Sequence, residues 1–195
     1  MNPSYNVMKQ TVEVSGRMLT IRVEIDGDPE SPREWDNLGH MACVHERYKL
    51  GDKSGKLGFN MKNLVESYES WDEVEEYLVE NYDAKVILPV FMYDHSGISL
   101  SCSPFGCPWD SGQVGFIYTT SMGIAKAYKD QAWTEEEVRA CLLSEVKVYS
   151  SYVNGEVYGY VIEDEQGGIL DSCFGFIESA QEVMEQGLSE AQYMT

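Results

Sequence analysis

The stretch Val12-Glu-Val-Ser-Gly-Arg-Met-Leu-Thr-Ile-Arg-Val-Glu-Ile25 decides the fold class of this chain. Apolar residues alternate with polar ones on both sides of Ser15-Gly16, a pattern typical of two half-buried strands joined by a tight turn. The stretch therefore predicts an antiparallel β-hairpin near the start of the chain. Residues 157–177 show a similar alternation around Gln166-Gly-Gly168 and predict a second hairpin.

Three Ser/Thr-x-x-Glu pairs indicate where helices begin. In such a capping box the hydroxyl accepts a hydrogen bond from the first helical turn, and the glutamate accepts one from the cap residue. The pairs are Ser70 with Glu73, Thr134 with Glu137, and Ser179 with Glu182. We predict a helix from each pair, the last ending at Gly187, and another short helix from about Thr120 to Lys129.

Apolar runs in the middle of the chain predict further strands. Lys85-Val-Ile-Leu-Pro-Val-Phe-Met-Tyr93 is typical of a buried strand. Within it, Pro89 favours an edge or a bulge, because proline cannot donate a hydrogen bond to the ladder. Ile98 and Leu100 predict a short return strand, and residues 114–118 predict another.

We therefore predict an α+β fold, in which a mainly antiparallel sheet of two or more hairpins carries three to four packed helices. Residues 35–50 fit a helix or a strand, and residues 51–60 are typical of a loop. The length of 195 residues and the 43% apolar composition suit one domain with a real core. We assign residues 1–187 to that domain, with a possible subdivision near 60–65, and expect 188–195 to be a frayed tail.

Charge and targeting signals argue against several classes of protein. A net charge of −19 argues against direct binding to nucleic acid or anionic membranes, because clustered Lys and Arg bind phosphate groups. No segment reaches the roughly 18 apolar residues of a membrane span, and the first residues lack a secretion signal. Five scattered cysteines favour reduced thiols over a disulfide framework, so we expect a cytoplasmic protein.

The net charge is concentrated in two stretches of the chain. Residues 66–84 carry eight acids and no Lys or Arg, and residues 131–195 carry thirteen acids and two bases. Acids and bases balance elsewhere. A small domain needs a net charge of only about 2–8 to stay soluble. Excess like charge also opposes compaction, so this charge suggests a polyanionic surface for a basic partner as well as a solvated surface.

Nine acidic residues are the candidate partner-binding set. On the helix from Ser70 an apolar stripe would face the core, which turns the carboxylates towards solvent. Carboxylates three or four residues apart on a helix lie roughly 5–6 Å from each other, a spacing comparable to that of phosphates along a strand. The predicted contacts are Asp72, Glu73, Glu76 and Glu80 on that helix, with Glu135, Glu136, Glu163, Asp164 and Glu165 elsewhere.

The glycine- and proline-rich stretch from Cys102 to Gly115 is the alternative candidate site. It predicts a tight loop before a strand, which could present Cys107 or Asp110 to a ligand. A small-ligand binder, or a hydrolase of a nucleotide signal, would use Tyr93, Asp94, His95, Cys107, Trp109 and Asp110. The competing interpretation is a rigid connector whose Trp109 packs into the core.

No complete catalytic or cofactor motif occurs in the chain. The Gly-x-Gly-x-x-Gly and P-loop patterns are absent, which argues against dinucleotide enzymes and nucleoside triphosphatases. A tetrahedral zinc site would draw on His40, Cys43, His45, His95, Cys102 and Cys107, whose spacings match no standard zinc motif. We assign no metal, no cofactor and no catalytic residue, and favour a binding protein over an enzyme.

Four segments resemble those of uncharacterised small acidic proteins from bacteriophages and mobile elements. They are Trp35-Asp-Asn-Leu-Gly39, Cys107-Pro-Trp-Asp-Ser-Gly-Gln-Val-Gly-Phe-Ile-Tyr118, Val157-Tyr-Gly-Tyr-Val-Ile-Glu-Asp164 and Asp171-Ser-Cys-Phe-Gly-Phe176. The resemblance implies a phage context, and hence the cytoplasm of a bacterial host, but it implies no known activity. The acidic character is shared with DNA-mimic antirestriction proteins by analogy alone, since none of their motifs matches.

Charge and resemblance together predict an anti-defence protein. Its acidic surfaces would occupy the basic channel of a host nucleic-acid-targeting complex, such as a restriction enzyme, a nuclease or a CRISPR effector. The partner would then be a basic host protein. Two alternatives stay open: the small-ligand site around residues 93–110, and a structural accessory protein that forms a homo-oligomer.

Overall fold

The computed structural model describes residues 6–129 and 131–194, which form eight β-strands and six α-helices. The strands are β1 (Asn6–Val14), β2 (Arg17–Ile25), β3 (His40–Cys43), β4 (Ala84–Asp94), β5 (Ile98–Ser101), β6 (Ser111–Thr120), β7 (Tyr158–Glu163) and β8 (Ile169–Phe176). The helices are α1 (Ser54–Leu57), α2 (Met61–Glu66), α3 (Trp71–Tyr82), α4 (Ser121–Tyr128), α5 (Glu135–Val153) and α6 (Ala180–Ala191). Every described pair of these strands is antiparallel, which confirms the predicted α+β class. The predicted number of helices is too low, because the short α1 and α2 lack a Ser/Thr-x-x-Glu pair.

The chain forms two compact units. Among the described residues, the terminal unit comprises 6–31 and 151–194, and the central unit comprises 32–129 and 131–150. The polypeptide therefore leaves the terminal unit after its first hairpin and returns to it near the end of α5. The subdivision considered near residues 60–65 falls inside the central unit, where Leu64 of α2 shares one hydrophobic cluster with Leu78 of α3.

The terminal unit is a four-stranded sheet covered by one helix. Its strand order is β1-β2-β7-β8, so the two predicted hairpins join through β2 and β7. Ile21, Val23 and Ile162 on these two strands are fully buried, and they form one cluster with Val183 and Met184 of α6. The hydrophobic effect at this cluster holds α6 against the sheet.

The last helix is longer than the sequence predicts. Helix α6 begins at the Ser179 capping box and continues past Gly187 to Ala191, which is fully buried. A Cβ on Gly187 would lie 2.8 Å from Cγ2 of Ile21, so this glycine permits close packing of helix on sheet. The predicted helix end at Gly187 is wrong, and residues 188–191 belong to the helix rather than to the predicted tail.

The central unit is built on a second antiparallel sheet, with strand order β3-β6-β4-β5. On one face, Phe116 of β6 packs with Val74 and Leu78 of α3. Ile117 points to the opposite face, because side chains alternate along a strand. There a Cβ on Gly39 would lie 2.6 Å from Cδ2 of Leu142 in α5 and 2.8 Å from Cγ1 of Ile117. A side chain at this position would therefore force Leu142 or Ile117 to move.

A buried arginine ties the Trp35–Gly39 segment to α5. Arg33 is 3% exposed, and it donates to both carboxylate oxygens of Asp52, at 3.1 and 3.0 Å, and to Glu145 at 3.0 Å. The Glu145 carboxylate also accepts from the backbone N–H of Leu38 at 2.7 Å. Such charge-assisted hydrogen bonds offset the hydration that the charged groups lose on burial. The Trp35–Gly39 segment is therefore a structural element of the central unit.

Pro89 lies within β4 without interrupting the sheet. Strand β4 pairs with β6 from Ala84 to Tyr93, but β5 covers it only from Phe91 to Asp94. Pro89 therefore lies on a stretch where one edge of β4 is uncovered, and the register shifts directly after Val90. The missing N–H of proline leaves no gap in the ladder there, which agrees with the predicted edge or bulge position.

The three helix starts predicted from capping boxes are found at Ser70, Thr134 and Ser179. The Ser70 box is incomplete, because the Glu73 carboxylate accepts from the N–H of Glu69 and not from that of Ser70. Thr134 and Ser179 each accept from the N–H of the glutamate three residues later, whose carboxylate accepts from the cap residue in return. The hydrogen bonds from Thr134 lower the pKa of Glu137. Within residues 6–129 and 131–194, no helix combines the length and the apolar composition needed to cross a bilayer.

Candidate functional site

The exposed side of α3 carries a row of carboxylates. Asp72, Glu76 and Glu80 follow one another at intervals of four residues and are exposed. With Glu75 and the exposed Val79 they line an open groove of about 680 Å³. Side chains three or four residues apart on a helix lie roughly 5–6 Å from each other. We call these five residues the acidic face of α3.

No cation of the described chain neutralises the acidic face. The ion pairs formed within residues 6–129 and 131–194 include none of its four carboxylates. Partial burial raises the pKa of Glu75, and the negative charge of Asp72 raises it further. The acidic face therefore concentrates negative charge that does not stabilise the fold through ion pairs.

Replacing Glu75 by Gln should stabilise the free protein at neutral pH. Because the pKa of Glu75 is raised in the folded state, its ionisation costs stability as pH rises above the ordinary value of 4.5. The advantage of the variant should be complete above the raised folded pKa and should vanish below pH 4.5, where the carboxyl is protonated in both states. Urea unfolding across this range measures it. A variant less stable than the wild type at neutral pH would contradict the prediction.

The other predicted partner contacts in the central unit are Glu73 on α3 and Glu135 and Glu136 on α5, and most of their carboxylates contact groups of the protein itself. The Glu73 carboxylate accepts from the backbone N–H of Glu69 at 2.9 Å and so helps to begin α3. At the start of α5, Glu135 lies 3.6 Å from Arg139, whereas Glu136 is exposed and has no ion pair within the described residues. Of these three glutamates, only Glu136 offers a carboxylate with no internal role.

In the terminal unit, the predicted contacts at residues 163–165 take part in internal hydrogen bonds. Glu163 pairs with Arg22 at 2.7 Å, and the hydrogen bonds from Arg22 lower the pKa of Glu163. Asp164 accepts from two backbone N–H groups of the β7–β8 turn, and Glu165 accepts from the N–H of Met18 at 3.1 Å. These carboxylates help to hold the terminal sheet together, which makes them weaker candidates for partner contacts than the acidic face.

The alternative candidate residues lie together at one end of the central sheet. The backbone N–H of Asp94 donates to the carbonyl of Asp110 at 2.8 Å, which joins the end of β4 to the loop before β6. The Tyr93 ring stacks on His95 and on Phe105, with centroids 6.0 and 5.6 Å apart. We call Tyr93, Asp94, His95, Phe105 and Asp110 the aromatic–carboxylate cluster.

The loop next to this cluster carries an exposed tryptophan and a cysteine. Trp109 is 92% exposed, so the interpretation that it packs into the core is wrong. The Cys107 Sγ lies 3.6 Å from an oxygen of Asp110, and Nδ1 of His95 lies 3.4 Å from the same oxygen. A cysteine nucleophile needs a base or a cation beside its sulfur. The polar neighbour of the Cys107 sulfur is the Asp110 carboxylate. These residues therefore do not form the thiol–imidazole pair that activates a cysteine nucleophile.

Sequence reasoning missed the residues that border the cluster. Arg47 forms an ion pair with Asp94, and its guanidinium carbon lies 5.3 Å from the centroid of the Tyr48 ring. The His45 ring stacks on the Tyr48 ring, with centroids 5.0 Å apart. Arg47 and Asp94 are 47 positions apart, and residues 44–48 show no pattern that would predict the contact.

The described residues do not assemble a metal site. Within residues 6–129 and 131–194, no group of three or more His, Cys, Asp or Glu side chains is arranged to bind an ion. Burial raises the pKa of Cys43 to about 12 and that of Cys102 to about 11. Raised pKa values disfavour the thiolate form that zinc requires.

Two surface features of the central unit thus carry unusual chemistry: the acidic face of α3 and the aromatic–carboxylate cluster. Comparison of the chain with protein-family models, with curated proteins and with solved structures finds no match. These two surfaces are the candidate functional sites of the protein.

Proposed function

We propose that this protein is an inhibitor that binds a basic nucleic-acid-binding protein through the acidic face of α3. The observation that carries the proposal is a row of four carboxylates with no internal cation among the described residues. From Asp72 to Glu80 the helix rises about 12 Å. Phosphates on one DNA strand advance about 3.4 Å per step, so this distance covers three to four steps. A channel that binds a phosphate backbone could therefore accept this helix.

The free-energy cost of the negative charge on the acidic face favours a role for it in binding a partner. Like charges close together oppose folding, and a net charge of −19 is well above what solubility requires. Complementary charge speeds the encounter of two proteins and suppresses wrong partners. An acidic face that slightly destabilises the free protein is therefore expected where a basic surface compensates it in the complex.

The resemblance to bacteriophage and mobile-element proteins supports an anti-defence setting. The target would be a host nucleic-acid-targeting defence complex, such as a restriction enzyme, a nuclease or a CRISPR effector, in the bacterial cytoplasm. All five cysteines are unpaired, which fits a reducing compartment. Binding would block the nucleic-acid channel of the target, and the inhibitor would need no catalytic residue for that.

Capture from a nuclease-treated bacterial lysate tests the proposal. The tagged protein should retain a basic nucleic-acid-binding protein at low salt and release it at high salt, because the attraction between exposed charges is screened. Mass spectrometry identifies what is retained. Removal of nucleic acid from the lysate ensures that retention is not indirect. Capture of no protein at either salt concentration, or of partners without a nucleic-acid site, would contradict the proposal.

A second candidate is a structural accessory protein that associates with itself, and the edge of the terminal sheet favours it. Strand β8 is the last strand of its sheet, and the exposed Ile169, Leu170 and Phe174 lie on it with a single charged residue, Asp171. Natural edge strands are commonly protected by charged residues or proline against pairing with another chain. A β8 edge that pairs with the β8 edge of a second copy would bury this strand.

Substitution of Ile169 by Lys tests the second candidate. If β8 edges pair, the wild type should form a dimer whose population rises with concentration, and Ile169→Lys should shift the equilibrium towards the monomer. Sedimentation velocity measures the masses. Met122→Lys, at an exposed apolar residue in α4, serves as the matched control and should leave the dimer intact. A monomer at all concentrations would exclude this candidate.

A further inference from the structure

The aromatic–carboxylate cluster lies beside an arginine that is already bound by a ring and a carboxylate. Arg47 extends over the Tyr48 ring and pairs with Asp94, while its side chain remains 68% exposed. Guanidinium groups bind in this way because they stack on aromatic faces and donate to carboxylates through a planar fork. This internal contact shows how a carboxylate and an aromatic ring of the protein together bind a guanidinium group.

A second carboxylate in the cluster lies beside the ring of a histidine and pairs with no arginine among the described residues. The side chain of Asp110 is 40% exposed, and its neighbours are the imidazole of His95 and the thiol of Cys107. His95 stacks on Tyr93, and its side chain is 64% exposed. Trp109, directly before Asp110, exposes nearly its whole ring. No Lys or Arg among the described residues forms an ion pair with Asp110.

We propose that Asp110, Trp109 and His95 form a binding site for an arginine side chain of a partner protein. The guanidinium would donate to the Asp110 carboxylate and lie against an exposed ring, as Arg47 does internally with Asp94 and Tyr48. The site is separate from the acidic face of α3, and the proposal does not depend on that face. It assigns a role to the most exposed tryptophan in the described chain.

Charge distinguishes arginine from the other ligands that an aromatic surface could bind. A nucleotide can stack on a ring, but its phosphates would approach Asp94 and Asp110 in a chain of net charge −19, and like charges repel. A neutral sugar would stack without using the charge of the carboxylate. Only a cation with a planar face uses both features of the site, and arginine combines the two.

A titration of the ¹⁵N-labelled full chain with short peptides tests this proposal. The probes are acetyl-Gly-Arg-Gly-amide and the same peptide with uncharged citrulline in place of arginine. The reporter is the indole N–H resonance of Trp109, identified by its loss in Trp109→Phe. We expect the arginine peptide to shift this resonance saturably and the citrulline peptide to leave it nearly unchanged.

Variants of the carboxylate separate a specific site from general attraction by a negative protein. Asp110→Asn keeps the shape and the backbone carbonyl that Asp94 uses, and it should weaken arginine-peptide binding about tenfold, because the neutral amide cannot form charge-assisted hydrogen bonds with the guanidinium. Replacing Asp72, Glu76 and Glu80 on α3 by Lys should change the affinity less than twofold. An unmoved Trp109 resonance, an equal response to citrulline, or a larger response to AMP or glucose would overturn the proposal.

Discussion

Replacing Arg33 by Met should lower the free energy of unfolding by about 3–5 kcal/mol, because removing the central partner of a buried ion network costs more than the attraction it provides. Glu145 loses its ion pair with Arg33, and Asp52 keeps the more exposed Lys56, 3.3 Å away. The side chain of Asp52 is fully buried and that of Glu145 is 12% exposed, so neither carboxylate can recover its hydration without a local opening. The variant also loses the hydrogen bond from Arg33 to the carbonyl of Gly39. Urea unfolding of the wild type and of Arg33→Met measures the difference.

The matched control for Arg33 is an exposed ion pair in the same unit. Lys126 lies 2.8 Å from Asp36, and both side chains are more than 70% exposed. Such an exposed pair contributes little because solvent screens it, so Lys126→Met should be close to the wild type in stability. A loss below about 1 kcal/mol in Arg33→Met would show that the network does not hold the central unit together.

Reversing three charges on the acidic face should reduce the affinity for the captured partner at least about a hundredfold. In the variant with Asp72, Glu76 and Glu80 replaced by Lys, each former attraction becomes a repulsion. Losses of roughly 1 kcal/mol or more at each position add to about 3 kcal/mol, and 1.4 kcal/mol corresponds to a tenfold change. Isothermal titration calorimetry with the purified partner at low salt measures this change.

The control variant changes the net charge of the protein by the same amount at another place. Glu178, Glu185 and Glu190 are exposed, at or near α6, and replacing them by Lys leaves the acidic face intact. If the acidic face binds the partner, this control should keep most of the affinity. Equal losses in both variants would show that the partner responds to overall charge, and that no particular face of the protein is recognised.

Local sequence patterns predicted the elements of the fold because each depends on neighbouring residues. The alternation on both sides of Ser15-Gly16 produced the first hairpin, and Thr134 and Ser179 capped helices as their spacing to a glutamate requires. The exposure of Asp72 and Glu80 followed from helical periodicity in the same way. These features need no knowledge of how distant segments meet.

Features that depend on distant segments could not be predicted from the sequence. Arg33 meets Glu145 across 112 positions, and nothing in the surroundings of either residue indicates the other. The division into two units has the same origin, since the terminal unit joins segments before residue 32 to segments after residue 150. Gly187 illustrates a local signal that tertiary packing overrides, because a glycine typical of a helix end lies within α6.

The candidate site shows the same contrast. The sequence indicated Tyr93, His95 and Asp110 as one region, and the structure brings them together in the cluster. It did not indicate Arg47, whose pairing with Asp94 shows how this surface binds a guanidinium. Residues 163–165 had the same acidic character as α3, but their hydrogen bonds within the terminal unit distinguish them from the acidic face.

The most direct test of the central claim is a competition between this protein and nucleic acid for the captured partner. With the partner immobilised, a nucleic-acid ligand of that partner is added at rising concentration and the bound inhibitor is measured. If the acidic face occupies the nucleic-acid site, the ligand should displace the inhibitor completely, at concentrations set by its own affinity. A stable ternary complex of partner, nucleic acid and inhibitor would contradict the claim.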